Sequence, residues 1–165
     1  MLRETTLDTK RYPGFWLIMM IFLSLLLAPT ARSNDIETAT KLMADGKFYE
    51  AAEMAAAVGD ARGLTLAARA LAIYGYEIAP ENEKQELFLR AIVHAEKAVE
   101  LDPNSSEAAL EVSHTLGRYA QTVGVAEALT GGFAEKTRAA MDRAIQLDPT
   151  NYRAHLSIGS WNAEI

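Results

Sequence analysis

The chain reads as an all-α protein, an irregular array of antiparallel helical hairpins of the α-solenoid kind. Three observations predict it. Beyond Asn34 the only prolines are Pro80, Pro103 and Pro149, each where an apolar helical pattern stops. Alanine is abundant and runs of β-branched residues are absent, which favours helix by propensity. Two stretches, "KAVELDPNSSEAAL" (97–110) and "RAIQLDPTNYRAHL" (143–156), nearly repeat each other.

The elements follow in order. A first helix spans Asp35 to Ala44 and stops at "DGK", where Gly46 suits the left-handed position that ends helices. "FYEAAEMAAAV" forms a second, closed by Gly59 and Asp60. A third covers Arg62 to Ala79, with Pro80 just past its end. "ENEKQELFLRAIVHAEKAVEL" forms a fourth, with Leu87, Ile92, Ala95 and Val99 on one stripe. Asp102-Pro103 ends it, because proline restricts the preceding residue and lacks the N–H that would continue the ladder. Asn104, Ser105 and Ser106 cap a fifth, "EAALEVSHTLGRYAQTV". A sixth runs from near Phe133 to Asp148-Pro149, and Thr150 and Asn151 cap a seventh that continues to the last residue.

The repeat is more than a shared "LDP". A shift of 46 residues places Ala98 on Ala144, Val99 on Ile145, Leu101-Asp102-Pro103 on Leu147-Asp148-Pro149, Ala108 on Ala154, Leu110 on Leu156 and Val112 on Ile158. A helix B ending in "A[VI]xLDPxN", followed by a helix A of small and apolar residues, resembles the tetratricopeptide repeat. "GKFYEAA", with Gly46, Phe48 and Ala51, is similar to the opening of that family's B helix, and Ile158-Gly159 to the end of its A helix. The family repeats every 34 residues, so about twelve are inserted here, in "AQTVGVAEALTGGF". They read as a lengthened helix A plus a loop. The layout as a whole is also similar to the periplasmic T component of some tripartite (TRAP) transporters, although that lipoprotein's anchoring cysteine is missing.

The first 33 residues form a separate segment. Arg3, Lys10 and Arg11 precede fourteen uncharged residues from Phe15 to Ala28, and "APTARS" follows. Fourteen is short of the roughly 20 apolar residues of a membrane-spanning helix but fits the core of a signal peptide. The reading is export to the periplasm, with cleavage after Ser33 (Ala31 and Ser33 being the small pair), or an uncleaved inner-membrane anchor facing the periplasm. Residues 34–165 are then the helical domain. They hold 12 Lys and Arg against 20 Asp and Glu, a balance of −8, and the whole chain stands at −6. Such acidity speaks against nucleic acid as a partner, because phosphate neutralisation needs a basic patch. With no cysteine there is no disulfide framework or thiolate metal site.

Catalytic chemistry finds little support. His94, His114 and His155 lie on different helices, and none has an Asp or Glu three or four residues further on. Ser113 and His114 are adjacent and point apart on a helix. Nucleophile-elbow and phosphate-loop patterns are missing. The expectation is a protein that is no enzyme and carries no cofactor or metal. The acidic residues around Glu77, Glu81, Glu83 and Glu86 read as solvated surface, and Tyr74, Tyr76, Phe88, Tyr119, Phe133, Tyr152 and Trp161 as packing residues. What the resemblance implies is a partner-binding inner face on the A helices. Carried by register from the two "LDP" junctions, it comprises Glu107, Leu110, His114, Arg118, Arg153, Leu156 and Ser160. Positions 107, 110, 114 and 118 step by three or four and share one stripe. The function so read is a scaffold that binds a protein or peptide on this face. The alternative is a solute-binding accessory of a TRAP-type system, with a small molecule held beside the inserted segment. An apolar cavity lined by "VGVAEALTGGF" would favour the solute, and a shallow groove with that segment against Tyr119 would favour the protein. The last helix has no partner helix after it, which reads as truncation.

Overall fold

A computed structural model describes residues 33–164, and every element among them is helical. The expected leader and its expected cleavage site lie outside the described residues, apart from Ser33. From Asp35 onward the chain forms a single unit. Its helices are α1 (33–44), α2 (Phe48–Val58), α3 (Ala61–Glu77), α4 (Glu81–Leu101), α5 (Ser106–Ala120), α6 (Val125–Thr130), α7 (Phe133–Leu147) and α8 (Tyr152–Glu164).

Pairing follows the hairpin expectation. α3 packs on α2 and α4, α5 on α4 and α7, and α7 on α8. α3 and α5 also touch each other, so the A helices stand side by side. A chain of small apolar clusters runs through these contacts. Ala39, Ala55 and Ala67 join α1, α2 and α3 with almost no exposed surface. Alanine there lets the helix backbones approach closely, and α3 exploits it. A Cβ on Gly63 would lie 2.5 Å from the Ala55 carbonyl oxygen, so glycine is required at that crossing. Phe88 and Ile92 of α4 meet Leu116 and Tyr119 of α5, and Ala109, Leu110, Ala144 and Ala154 join α5, α7 and α8.

The turns show why the elements end where they do. Gly46 and Gly59 adopt φ of +77° and +73°, the left-handed conformation expected after α1 and found again after α2. At the two "LDP" junctions the aspartate closes the same small turn. Asp102 Oδ1 accepts from the Asn104 N–H at 3.1 Å, and Asp148 Oδ1 from the Thr150 N–H at 2.9 Å. The Thr150 N–H and hydroxyl hold the Asp148 carboxyl below its ordinary value. Ser105 then caps α5 by accepting from the Ala108 N–H, and Asn151 caps α8 by accepting from the Ala154 N–H.

Asn151 does more than cap. Its amide donates to Ser106 Oγ at 2.8 Å and Glu107 Oε1 at 3.0 Å, tying the second junction to the first. Asn151→Ala removes one cap and two buried or half-buried hydrogen bonds, so it should cost about 2 kcal/mol in urea unfolding. Thr150→Ala, at an exposed position beside it, should stay within about 0.5 kcal/mol.

Two sequence expectations need correction. The inserted segment does not lengthen α5. That helix stops at Ala120, the Gln121 and Thr122 N–H groups turn back onto Arg118 and Tyr119, and the Thr122 hydroxyl donates to the Tyr119 carbonyl at 2.8 Å. Gly124 is extended, and Val125–Thr130 form the separate short helix α6. Three aromatic residues also escape the core: Tyr76 and Tyr152 are exposed, and Trp161 is half-buried on a groove wall.

Candidate functional site: the groove across α3, α5 and α8

The A helices α3, α5 and α8 form the floor of a groove of about 680 Å³, with α6 and the first half of α7 along one side. On α5 the residues 107, 111, 114 and 118 step by four, three and four, which keeps them on one face.

The floor is built around Glu111, a carboxylate only 1% exposed. Its Oε1 accepts from Arg69 Nε of α3 at 2.7 Å and from Arg153 Nη2 of α8 at 3.0 Å. His114 Nδ1 lies 3.3 Å from its Oε2, and His114 Nε2 lies 2.9 Å from Ser157 Oγ of α8. Glu107, one turn earlier, pairs with the same two arginines: Arg69 Nη2 donates to its Oε2, as does Arg153 Nη1 at 2.5 Å. Two carboxylates and two guanidinium groups thus alternate across three helices and cancel. Burial pushes the Glu111 carboxyl up, but the His114 hydrogen bond and the charges of Arg69, His114 and Arg153 outweigh it and hold it at about 2. Every fully buried side-chain polar atom among the described residues has a partner.

Above this floor the walls are mostly apolar. Ala72 and Ile73 come from α3, Leu129 from α6, Phe133 from α7, and Leu156 and Trp161 from α8. Tyr119 supports the α6 side: its hydroxyl donates to Glu127 Oε1 at 3.4 Å and its ring meets Phe133 edge-on at 5.3 Å. The inserted segment therefore both lines the groove and packs on Tyr119. At the far end of the α5 stripe, the Arg118 guanidinium lies 3.5 Å from the centre of the Tyr76 ring.

The residues expected on the inner face are brought together, with one exception. His114, Arg118, Arg153, Leu156 and Ser160 line the groove, and Glu107 lies in the ion network of its floor. Leu110 does not join them. It is completely buried against Ala144 and Ala154, because it sits on the α5 face turned toward α7 and α8. Glu111 holds the groove position instead. Sequence reasoning also missed Arg69, Tyr76 and Trp161. One signal for Glu111 was present: it precedes His114 by three residues and follows Glu107 by four. Among the described residues no group of three or more His, Cys, Asp and Glu side chains could hold a metal. His94 and His155 do not line the groove, and burial and the Arg90 charge lower the His94 pKa.

A scan against protein families matches residues 32–165 to the family described as regulator of microtubule dynamics protein 1-3. The chain belongs to that family. This corrects the resemblance read from the "LDP" junctions, because neither the tetratricopeptide family nor the TRAP-transporter T component is what the chain matches. The physical reason lies in what those junctions encode. An Asx turn, a proline break and a capped restart are one general way of closing a tight helical hairpin and mark no single family, and the 46-residue interval already departed from a 34-residue repeat. No curated protein matches this chain by sequence.

Proposed function

We propose that this chain is a non-enzymatic binding module whose groove across α3, α5 and α8 receives a segment of a protein partner. We further propose that it acts through that partner in the process its family description names, the regulation of microtubule dynamics. One observation carries the reading. The charged floor of the groove is satisfied internally, with Ser157, His114 and Glu111 joined in one hydrogen-bonded chain, so an occupant meets mainly apolar walls and a single stacked arginine. Leu129 and Leu156, 75% and 65% exposed, both line the trough and offer it apolar area. The apolar run from Phe15 to Ala28 supports export of the module or its attachment to a membrane.

A photo-crosslinking residue placed at Leu156 should give an adduct of defined higher mass in cells. The same residue at Leu89, exposed on α4 and outside the groove, should give little. Equal labelling from both positions, or none from Leu156, would remove the groove as the partner site. A second reading, a small apolar anion held in the same space, draws on the volume, which falls in the range of roughly 300–1,000 Å³ typical of small-molecule sites. Native mass spectrometry of the protein from its own cells separates the two, since only the second predicts a co-purifying small molecule.

A further inference from the structure

We propose that Arg118, stacked on Tyr76, is an anion subsite that selects partner segments carrying a carboxylate side chain beside bulky apolar residues. The inference rests on the reading of the groove as a peptide site and adds what that peptide must contain.

The argument begins with which cations in the groove are free. Arg69 and Arg153 each bind both Glu107 and Glu111, so an incoming anion would have to displace a partner already in place. Among the described residues Arg118 has no such partner. Its one hydrogen bond runs from Nη1 to the neutral Gln121 Oε1, at 3.3 Å, and its flat face rests on Tyr76. Glu77 lines the same groove but forms no ion pair with it. Its charge is therefore not tied up in an ion pair among the described residues.

Geometry then sets the chemistry. Stacking occupies the face of a guanidinium and leaves its in-plane N–H donors open, and a carboxylate binds in that plane through two parallel hydrogen bonds. The ring also restrains a long side chain that would otherwise lose rotamer freedom on binding. Arg118 and Tyr76 are thus arranged as a fork held ready. The same groove carries apolar surfaces, with Ile73 on α3, Leu129 on α6, and Leu156 and Trp161 on α8. An occupant satisfying both features presents a Glu or Asp flanked by leucine- or phenylalanine-sized side chains. A basic segment meets Arg118 as a like charge.

The test pans a randomised, terminally blocked heptapeptide library on the immobilised full-length chain, wild type and Arg118→Gln in parallel. Wild type should enrich peptides with Asp or Glu adjacent to Leu, Ile or Phe, and the variant should lose the acidic preference while keeping the apolar one. For the best peptide, changing its acidic residue to the amide should weaken binding about tenfold to wild type and leave Arg118→Gln unaffected. Arg118→Lys, which keeps the charge but not the stacked fork, should lose most of that tenfold. Enriched peptides without acidic bias, or equal affinity for the acid and amide forms, would overturn the subsite while leaving the groove as a peptide site. A panning that returns no binder above background would overturn both. Because the acid-to-amide comparison is made on the wild-type protein, it holds even where a variant folds poorly.

Discussion

Phe88→Ala should destabilise the protein by about 4 kcal/mol, lowering Tm by roughly 10 °C in a chain of this size. Phe88 is 2% exposed and is the largest fully buried side chain among the described residues. It joins α4 to α5 through Leu116 and Tyr119 and fills the space left by Gly75 on α3. A Cβ on Gly75 would lie 2.7 Å from Phe88 Cε1, so Gly75→Ala alone should cost about 1–3 kcal/mol by overpacking. In the Phe88→Ala background the clash disappears, and the same substitution should instead contribute up to about 1 kcal/mol through helix propensity. The sign reversal is the informative outcome of the double-mutant cycle, read by urea unfolding of all four proteins. Additive effects would show that α3 and α4 do not meet at this pair.

The limits of legibility follow from what is local and what is not. α2 and α4 begin and end at the residues the sequence indicates, because Gly59, Pro80 and Asp102-Pro103 act on their own turns of backbone. The end of α5 is different. "AQTVGVAEALT" has helical propensity on both sides of Gly124, and the stop at Ala120 comes from Thr122 turning back on Tyr119, a choice stabilised by packing against Phe133. The groove was partly legible for the same reason as the hairpins: counting from the "LDP" turns gives each A-helix residue a direction. The choice between Leu110 and Glu111 was not legible. Both are one turn from Glu107, and a rule that buries leucine and exposes glutamate leaves the glutamate without a defined place. Glu111 is buried because Arg69 and Arg153, each 42 residues away, meet it there. Tyr76 has its place through Arg118, also 42 residues distant. Such pairings across stacked helices exist only once the hairpins have assembled.

The floor of the groove yields the other large effect, and it depends on pH. Glu111 has a carboxyl held at about 2 in the folded protein against 4.5 for an ordinary glutamate. Since its folded value is depressed, its contribution is fully present above about pH 4.5 and is lost as pH falls toward 2. A depression of that size corresponds to about 3 kcal/mol. Wild type should therefore lose about 3 kcal/mol more than Glu111→Gln in urea unfolding between pH 6 and pH 2. At pH 7 the variant should be less stable by a similar amount, about 3 kcal/mol, the low end of the range for removing one partner from a buried ion pair. The low end applies because Arg69 and Arg153 are about a quarter exposed and keep Glu107. Parallel pH profiles for the two proteins would show that Glu111 is not held ionised by its neighbours. The network also bears on binding. Methionines in place of the two arginines and leucines in place of the two glutamates would fill a similar volume without charge, and such replacements are often neutral or better for stability. What they would not supply is a set of directed bonds from α5 to both α3 and α8. On this argument Glu111→Gln should weaken partner capture even at pH values and temperatures where it stays folded, because the groove would lose the bonds that set the spacing of its walls.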